Sequence, residues 1–521
     1  MRKIQKYFTE KAVFTAFLFL GLLPLFGGKF FITLDGPAHM YNALMIKELL
    51  TSPNSFAANF LQFTGHPVPN WSGHFILAAL TSIVPFYWAE KILVAAYLIL
   101  FPVGFRILIQ KTAPQNTFLS FFAFPFSWSF TLFLGFYNFL IAWIPFIFCF
   151  TLLITAFENP DDRKKWWLIG LLALLTYFSH LFVFAVLGLS AVILFFIQNR
   201  TLHLHYLLKS AVALFTAFIL PATLAFYHIV TGPESGDVVY KSAGELSKTL
   251  INLEPLVALN YPIESGWYQL LSATLILLTV AGIIFTLKTK STAKNQSKPI
   301  SVSLRFFAIA MVTLFAIAIY TLPDSNENAG FFSVRLMLFF YLFGIQAMSG
   351  FHYPKRIKYA VIPIILTVQI ATGVYYTKAG LINNRAAQEC FEAGKLIEQN
   401  KTVLELNYSP HWLYLHFSHY AGFENSPVFL TNYEASLSYF PLTFNRNTMP
   451  NNLFANQTRD ENTCLFWESN TANNSRDIDY IIVLGNPEDE KSTCARETLK
   501  KLETHYNKVY EKTHCTLYRL K

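Results

Sequence analysis

Residues 32–50 read ITLDGPAHMYNALMIKELL. They follow the first long apolar run of the chain, which ends at an acid, Asp35, with a histidine, His39, four residues on. An apolar run of about 20 residues crosses the roughly 30 Å hydrocarbon core of a bilayer. The stretch therefore reads as the lip of a membrane helix that carries a carboxylate and an imidazole. Asp35 ahead of Gly36-Pro37 also has the form of a helix N-cap with proline in the first turn. His39 has the plainer alternative of bonding water or lipid headgroups.

The rest of the chain agrees with a membrane setting. Of 521 residues, 54% are hydrophobic and 14% charged, and 53 are phenylalanine. Ordinary soluble domains are roughly 25% charged. Apolar runs recur as far as residue 376. The N-terminal MRKIQKYFTEKAVFTAFLFLGLLPLF is basic and then apolar, without a small-residue cleavage site. It is expected to be an uncleaved anchor with its N-terminus inside.

Charge sets the expected topology. Residues 377–521 hold 15 Lys+Arg and 17 Asp+Glu, leaving 25 and 14 for the remainder. Lys/Arg excess in short loops marks the cytoplasmic side. The basic stretches 161–167, 198–209, 288–299 and 353–358 are therefore expected inside, and 231–266 and the acidic 323–330 outside. Seven apolar segments lie between the first outer loop and 231–266, so parity requires that one does not cross. SGHFILAALTSIVP (72–85) is the weakest, too short for a comfortable span. The expectation is a mainly α, polytopic membrane protein of about eleven transmembrane helices, its C-terminal region outside. No basic arm with interleaved aromatics points to nucleic acid.

Residues 377–521 change character. Helical patterns at 386–400, 411–422 and 494–506 alternate with strand patterns at 402–407 and 478–485 and two closing strands. A small α/β domain follows from that alternation. His411, His416 and His419 do not have the zinc-protease spacing, so aromatic packing or acceptor contact is expected of them. Cys390, Cys464, Cys494 and Cys515 lie in this region and allow three pairings. Cys149 is expected to be buried in a span. No Walker loop, dinucleotide fingerprint or nucleophile elbow is present.

The expected topology gathers five polar residues on the outer side: Asp35, His39, Asn138, His180 and Arg335. Ionisable groups at membrane depth are costly and commonly functional. The alternatives are that Asn138 and His180 are turn residues and that Arg335 snorkels to lipid phosphate. Asp35 and His39, four apart, can share a helix face, but a metal centre takes three or four protein ligands. His66, His74 and His180 complete no recognisable spacing. No cofactor is assigned, and a divalent metal stays open.

With LDGPAHMYNA, GFYNFLIA, YFSHLFVF and the closing DYIIVLG and CTLYRLK in this order, the chain resembles the GT-C superfamily of polyprenyl-phosphate-sugar-dependent glycosyltransferases. Members have one span and a long outer loop that opens with an acid and holds two juxtamembrane helices. Six further spans, a partly mobile outer loop, more spans and often an outer soluble domain follow. The resemblance implies that Asp35 is the acid, that 38–51 and 72–85 are the juxtamembrane helices, and that 231–266 is the mobile loop. Where many members carry neighbouring acids, Asp35 is followed by Gly36 and His39.

The implied activity is inverting transfer of a sugar from a polyprenyl-phosphate donor to a lipid, glycan or protein acceptor at the outer face of a bacterial inner membrane. An anionic phosphate leaving group needs no general acid, unlike a glycoside hydrolase. It needs a cationic clamp, which Arg335 suits, and the acceptor needs one base, which Asp35 suits. His39, Asn138 and His180 would bind substrate beside them. A ligase or polymerase acting on a lipid-linked glycan, or a transporter of lipid-linked sugar, are the other readings. The last would favour inverted repeats, and none is visible in the sequence.

Overall fold

The computed structural model describes residues 9–199, 204–232, 236–290, 299–326, 329–437, 439–445, 447–448, 478–486 and 493–521. The chain divides into two compact units, one of Met1–Pro24 with Val94–Thr377, the other of Leu25–Leu93 with Lys378–Lys521.

The first unit is helical. Among the described residues, seven helices of the chain are long and apolar enough to cross a membrane: Phe86–Thr112, Tyr137–Ala156, Leu181–Asn199, Leu204–Thr231, Tyr261–Lys288, Leu304–Thr321 and Lys355–Gly394. This is fewer than the eleven expected. The other four expected spans are shorter pieces. Glu10–Leu22 has 13 residues, and Arg163–Ser179 and Phe332–Met348 have 17 each. The stretch 117–134 is broken into Pro114–Phe122, Ala123–Ser127 and Phe130–Phe133. Pro125 and the Ser127-Trp128-Ser129 bend interrupt it, and Gly135 closes it at φ +78°. Nearly all of its side chains are buried, the condition under which non-helical backbone is tolerated at membrane depth.

Lipid offers no hydrophobic gain for helix association, so close packing must hold these helices together. Phenylalanine and tryptophan supply it. Trp143 stacks on Phe339 at 4.1 Å, and Phe315 stacks on Phe339 and Phe343 at 5.5 and 5.8 Å. Small residues permit close approach elsewhere, since a Cβ on Gly170 would lie 3.1 Å from the Ala217 carbonyl oxygen. The segment 231–266 carries helix Ala243–Ile251 and a strand, Val238–Val239, paired with Ser325–Asn326.

The second unit is built on a five-stranded sheet. Val428–Phe429, Thr402–Asn407 and Tyr480–Leu484 run parallel, and Cys515–Leu520 and Tyr506–Glu511 add antiparallel. Tyr480–Leu484 is buried throughout, as expected of a central strand with both faces covered. Asp479, just ahead of it, accepts from the Thr402 amide at 2.9 Å and from Lys401 at 3.0 Å, which fixes the register of the two parallel strands. Gly485 ends the strand at φ +77°, where a Cβ would meet the Ser409 backbone at 2.6 Å.

Helix Gly36–Thr51 is buried along most of its length in this unit. Asn42 and Asn432 exchange reciprocal amide hydrogen bonds of 3.0 and 2.7 Å. The Tyr41 hydroxyl donates to the Pro427 carbonyl and accepts from the Phe429 amide. Helix Ser72–Leu80 is nine residues long, too short to cross a membrane, as its sequence leads one to expect. Leu61–Phe63 pairs with Leu442–Phe444. Cys390 and Cys515 are buried, free of a disulfide, and close enough for their thiols to interact. Cys464 lies outside the described residues, as does the Cys494 side chain. Cys149 is buried in helix Tyr137–Ala156.

Candidate functional site

Asp35 occupies the cap position of helix Gly36–Thr51, but its carboxylate makes no capping hydrogen bond. The Thr33 hydroxyl accepts from the Gly36 amide instead, at 3.1 Å. The Asp35 carboxylate lies 3.5 Å from His416 Nε2. His416 stacks on Tyr433 at 4.3 Å. Burial first, and then the nearby Asp35 charge, hold the Tyr433 hydroxyl well above its ordinary range. Tyr433 therefore stays protonated near the carboxylate. The Asp35 and His416 side chains are each 14% exposed, enough for contact with a substrate.

One turn on, His39 meets partners that no local pattern announces. Its Nδ1 lies 2.7 Å from Glu434 Oε1. His74 Nε2 lies 2.7 Å from Glu434 Oε2 and 3.3 Å from His39 Nδ1. Phe440 covers both rings, at 6.1 and 5.5 Å between centroids. All three polar side chains are at most 5% exposed. Burial pushes the Glu434 carboxyl up, but the His74 and His39 rings outweigh it and hold the group well below the usual carboxylate range. Two histidines and a glutamate within 4.8 Å of one another form the one such ligand group among the described residues. His66 and His180 are not in it.

The remaining expected residues lie in the first unit. His180 is the single extended residue between helices Arg163–Ser179 and Leu181–Asn199, and its Nδ1 accepts from the Phe182 amide at 3.2 Å. The Arg335 guanidinium lies over Phe136 at 4.7 Å and over Phe139 and Phe332 at 5.7 Å. Phe139 also contacts the His180 ring at 5.3 Å, and the Arg335 charge reaches His180. Asn138, next to Phe139, is buried. This unit thus gathers His180 and Arg335 around Phe139, with Asn138 one residue before it in the chain, while Asp35 and His39 belong to the other unit.

The three histidines of 411–422 pack against aromatics. His411 stacks on Tyr414 at 4.4 Å and His419 on Phe429 at 5.0 Å. Burial lowers His419 to about 4, so its ring is neutral. His416 alone among them faces Asp35. Sequence reasoning missed Glu434 and Tyr433, which sit in a four-residue helix, Tyr433–Ser436, with no periodicity to mark them. No protein-family model matches the chain, and no curated protein matches it.

Proposed function

We propose that the chain is a GT-C-type membrane glycosyltransferase that moves a sugar, with inversion, from a polyprenyl-phosphate donor to a lipid, glycan or protein acceptor. The reaction is placed on the outer face of a bacterial inner membrane, with residues 377–521 in the periplasm. The observation that carries the reading is Asp35. It lies in the segment between the first apolar helical stretch, which ends at Phe26, and helix Gly36–Thr51, is not spent on capping, and keeps solvent access beside a histidine and a tyrosine.

In this reading Asp35 removes the acceptor proton as the acceptor oxygen or nitrogen attacks the anomeric carbon. The bond to the phosphate breaks, and the lipid phosphate leaves with its negative charge. His416 and Tyr433 orient Asp35. Arg335 keeps its expected role toward donor phosphate, whose oxygens its planar fork matches. Asn138 and His180 are assigned to donor contacts beside it.

The test uses the full chain in lipid nanodiscs with radiolabelled polyprenyl-phosphate sugars. Asp35→Asn is expected to reduce transfer or label release by roughly a hundredfold or more, with donor binding retained. Arg335→Lys is expected to weaken donor binding by about tenfold. Full turnover in Asp35→Asn would remove the base from the mechanism. Donor binding without turnover in the parent chain would turn the reading toward a transporter.

A further inference from the structure

The His74 ring raises a question that the proposed transfer reaction does not answer. Its Nδ1 lies 3.1 Å from the Asn70 carbonyl oxygen. A carbonyl only accepts, so Nδ1 carries the hydrogen. In neutral imidazole the other nitrogen is then bare. That bare Nε2 faces Glu434 Oε2 at 2.7 Å, a second acceptor. Two acceptors at this distance repel unless a cation lies between them. The cation is either a proton, shared between ring and carboxyl, or a metal ion.

Three observations favour the ion. A backbone carbonyl holding the far ring nitrogen is the usual outer support of a metal-ligating histidine. A third ligand atom, His39 Nδ1, converges on the same point, 3.3 Å from His74 Nε2. Two nitrogens each about 2.0–2.1 Å from one tetrahedral ion are separated by roughly this distance. Finally, the three side chains come from three separate elements, helix Gly36–Thr51, helix Ser72–Leu80 and helix Tyr433–Ser436, and all are buried. A carboxylate oxygen need withdraw only about 0.5 Å to take its place on such an ion.

We propose that His39 Nδ1, His74 Nε2 and Glu434 bind a divalent ion of the zinc class. Two imidazoles and one carboxylate are a donor set that zinc accepts, with a fourth position for water or substrate. Magnesium and calcium want oxygen donors. The ion fastens the start of helix Gly36–Thr51 to the segment that carries Tyr433, on which His416 stacks. Its presence is read independently of any turnover.

The experiment takes the full chain, purified in detergent without a histidine tag. Bound metal is measured by mass spectrometry, and the chelator-stripped protein is then titrated with Co²⁺ alone. The expected result is a single ion per chain and the intense visible absorption of four-coordinate cobalt. Both are expected to be lost in His74→Ala and Glu434→Gln and kept in His66→Ala. His74→Cys guards against loss through misfolding, because it should restore cobalt binding and add a thiolate-to-cobalt charge-transfer band. Absence of metal in the purified chain together with no Co²⁺ bound would overturn the proposal, as would an unchanged cobalt spectrum in both His74→Ala and Glu434→Gln. Either result would leave a proton, not an ion, between His74 and Glu434.

Discussion

Glu264 and Glu434 are both fully buried carboxylates, one in each unit. Glu264 accepts from the backbone amides of Ala258, Leu259 and Asn260 and from the Tyr376 hydroxyl. Three of these four donors lie within six residues of it, and all are neutral. Glu434 faces two imidazoles that lie 395 and 360 residues away in the chain. Amides and a hydroxyl satisfy a carboxylate permanently and offer no ligand to an ion. Imidazoles hold a proton or a metal and can release either. The same residue type is thus a loop fastener in one unit and part of an ion-competent centre in the other, and the donors alone make the difference.

The largest effect is expected from Glu434→Ala. Removing one partner of a buried charged cluster costs roughly 3–5 kcal/mol, since two enclosed rings lose their counter-charge. Hydrogen exchange over residues 36–51 and 428–437 should lose protection by roughly a hundredfold to a few thousandfold, with peptides of the first unit unchanged. Retained protection would mean that the cluster does not hold these elements together. Glu264→Gln is the matched control. One of its two oxygens becomes an amide NH₂ facing donors, a loss of about 1–3 kcal/mol. Exchange should rise locally around residues 256–268, and the metal content of the chain should not change. A loss of metal in Glu264→Gln would break the distinction drawn between the two carboxylates.

Local signals made much of this legible. Apolar runs mark most of the long helices, and the shortness of 72–85 excludes it as a span. The alternation after residue 386 foretells the sheet, with Tyr480–Leu484 at its centre because an uninterrupted apolar run needs cover on both faces. Hydropathy failed where it is blind to backbone. The run 117–134 is apolar enough to cross, but Pro125 and the serines after it break the helix. It also did not show that the apolar helix ending at residue 376 runs unbroken through 377–385 into the helix expected from 386, as far as Gly394. Asp35 and His39 were visible as polar residues at an apolar edge. Glu434 was not, because sequence carries no mark of a partner some 395 residues distant in a helix of four residues.

A third buried carboxylate sharpens the comparison because its support is thinner than either. Glu405, in strand Thr402–Asn407, has Asn407 Nδ2 at 3.3 Å, and no cation acts on it among the described residues. Burial pushes its carboxyl from 4.5 up to about 7, although the Asn407 amide and the nearby Ser418 hydroxyl pull the other way. Below about pH 4.5 the group is protonated both folded and unfolded and contributes nothing to pH dependence. Between about 4.5 and 7 the unfolded chain has released its proton and the folded chain has not, so stability falls as pH rises. Glutamine stays neutral at every pH but keeps the desolvation cost of an amide, so the expected gain in Glu405→Gln at pH 8 is only about 1 kcal/mol. Melting of the full chain in nanodiscs from about pH 5 to 8 should show the variant flatter than the parent and more stable at the alkaline end. Parallel curves would assign the pH dependence to another group. A less stable variant at pH 8 would mean that Glu405, like Glu434, has a cation for its charge.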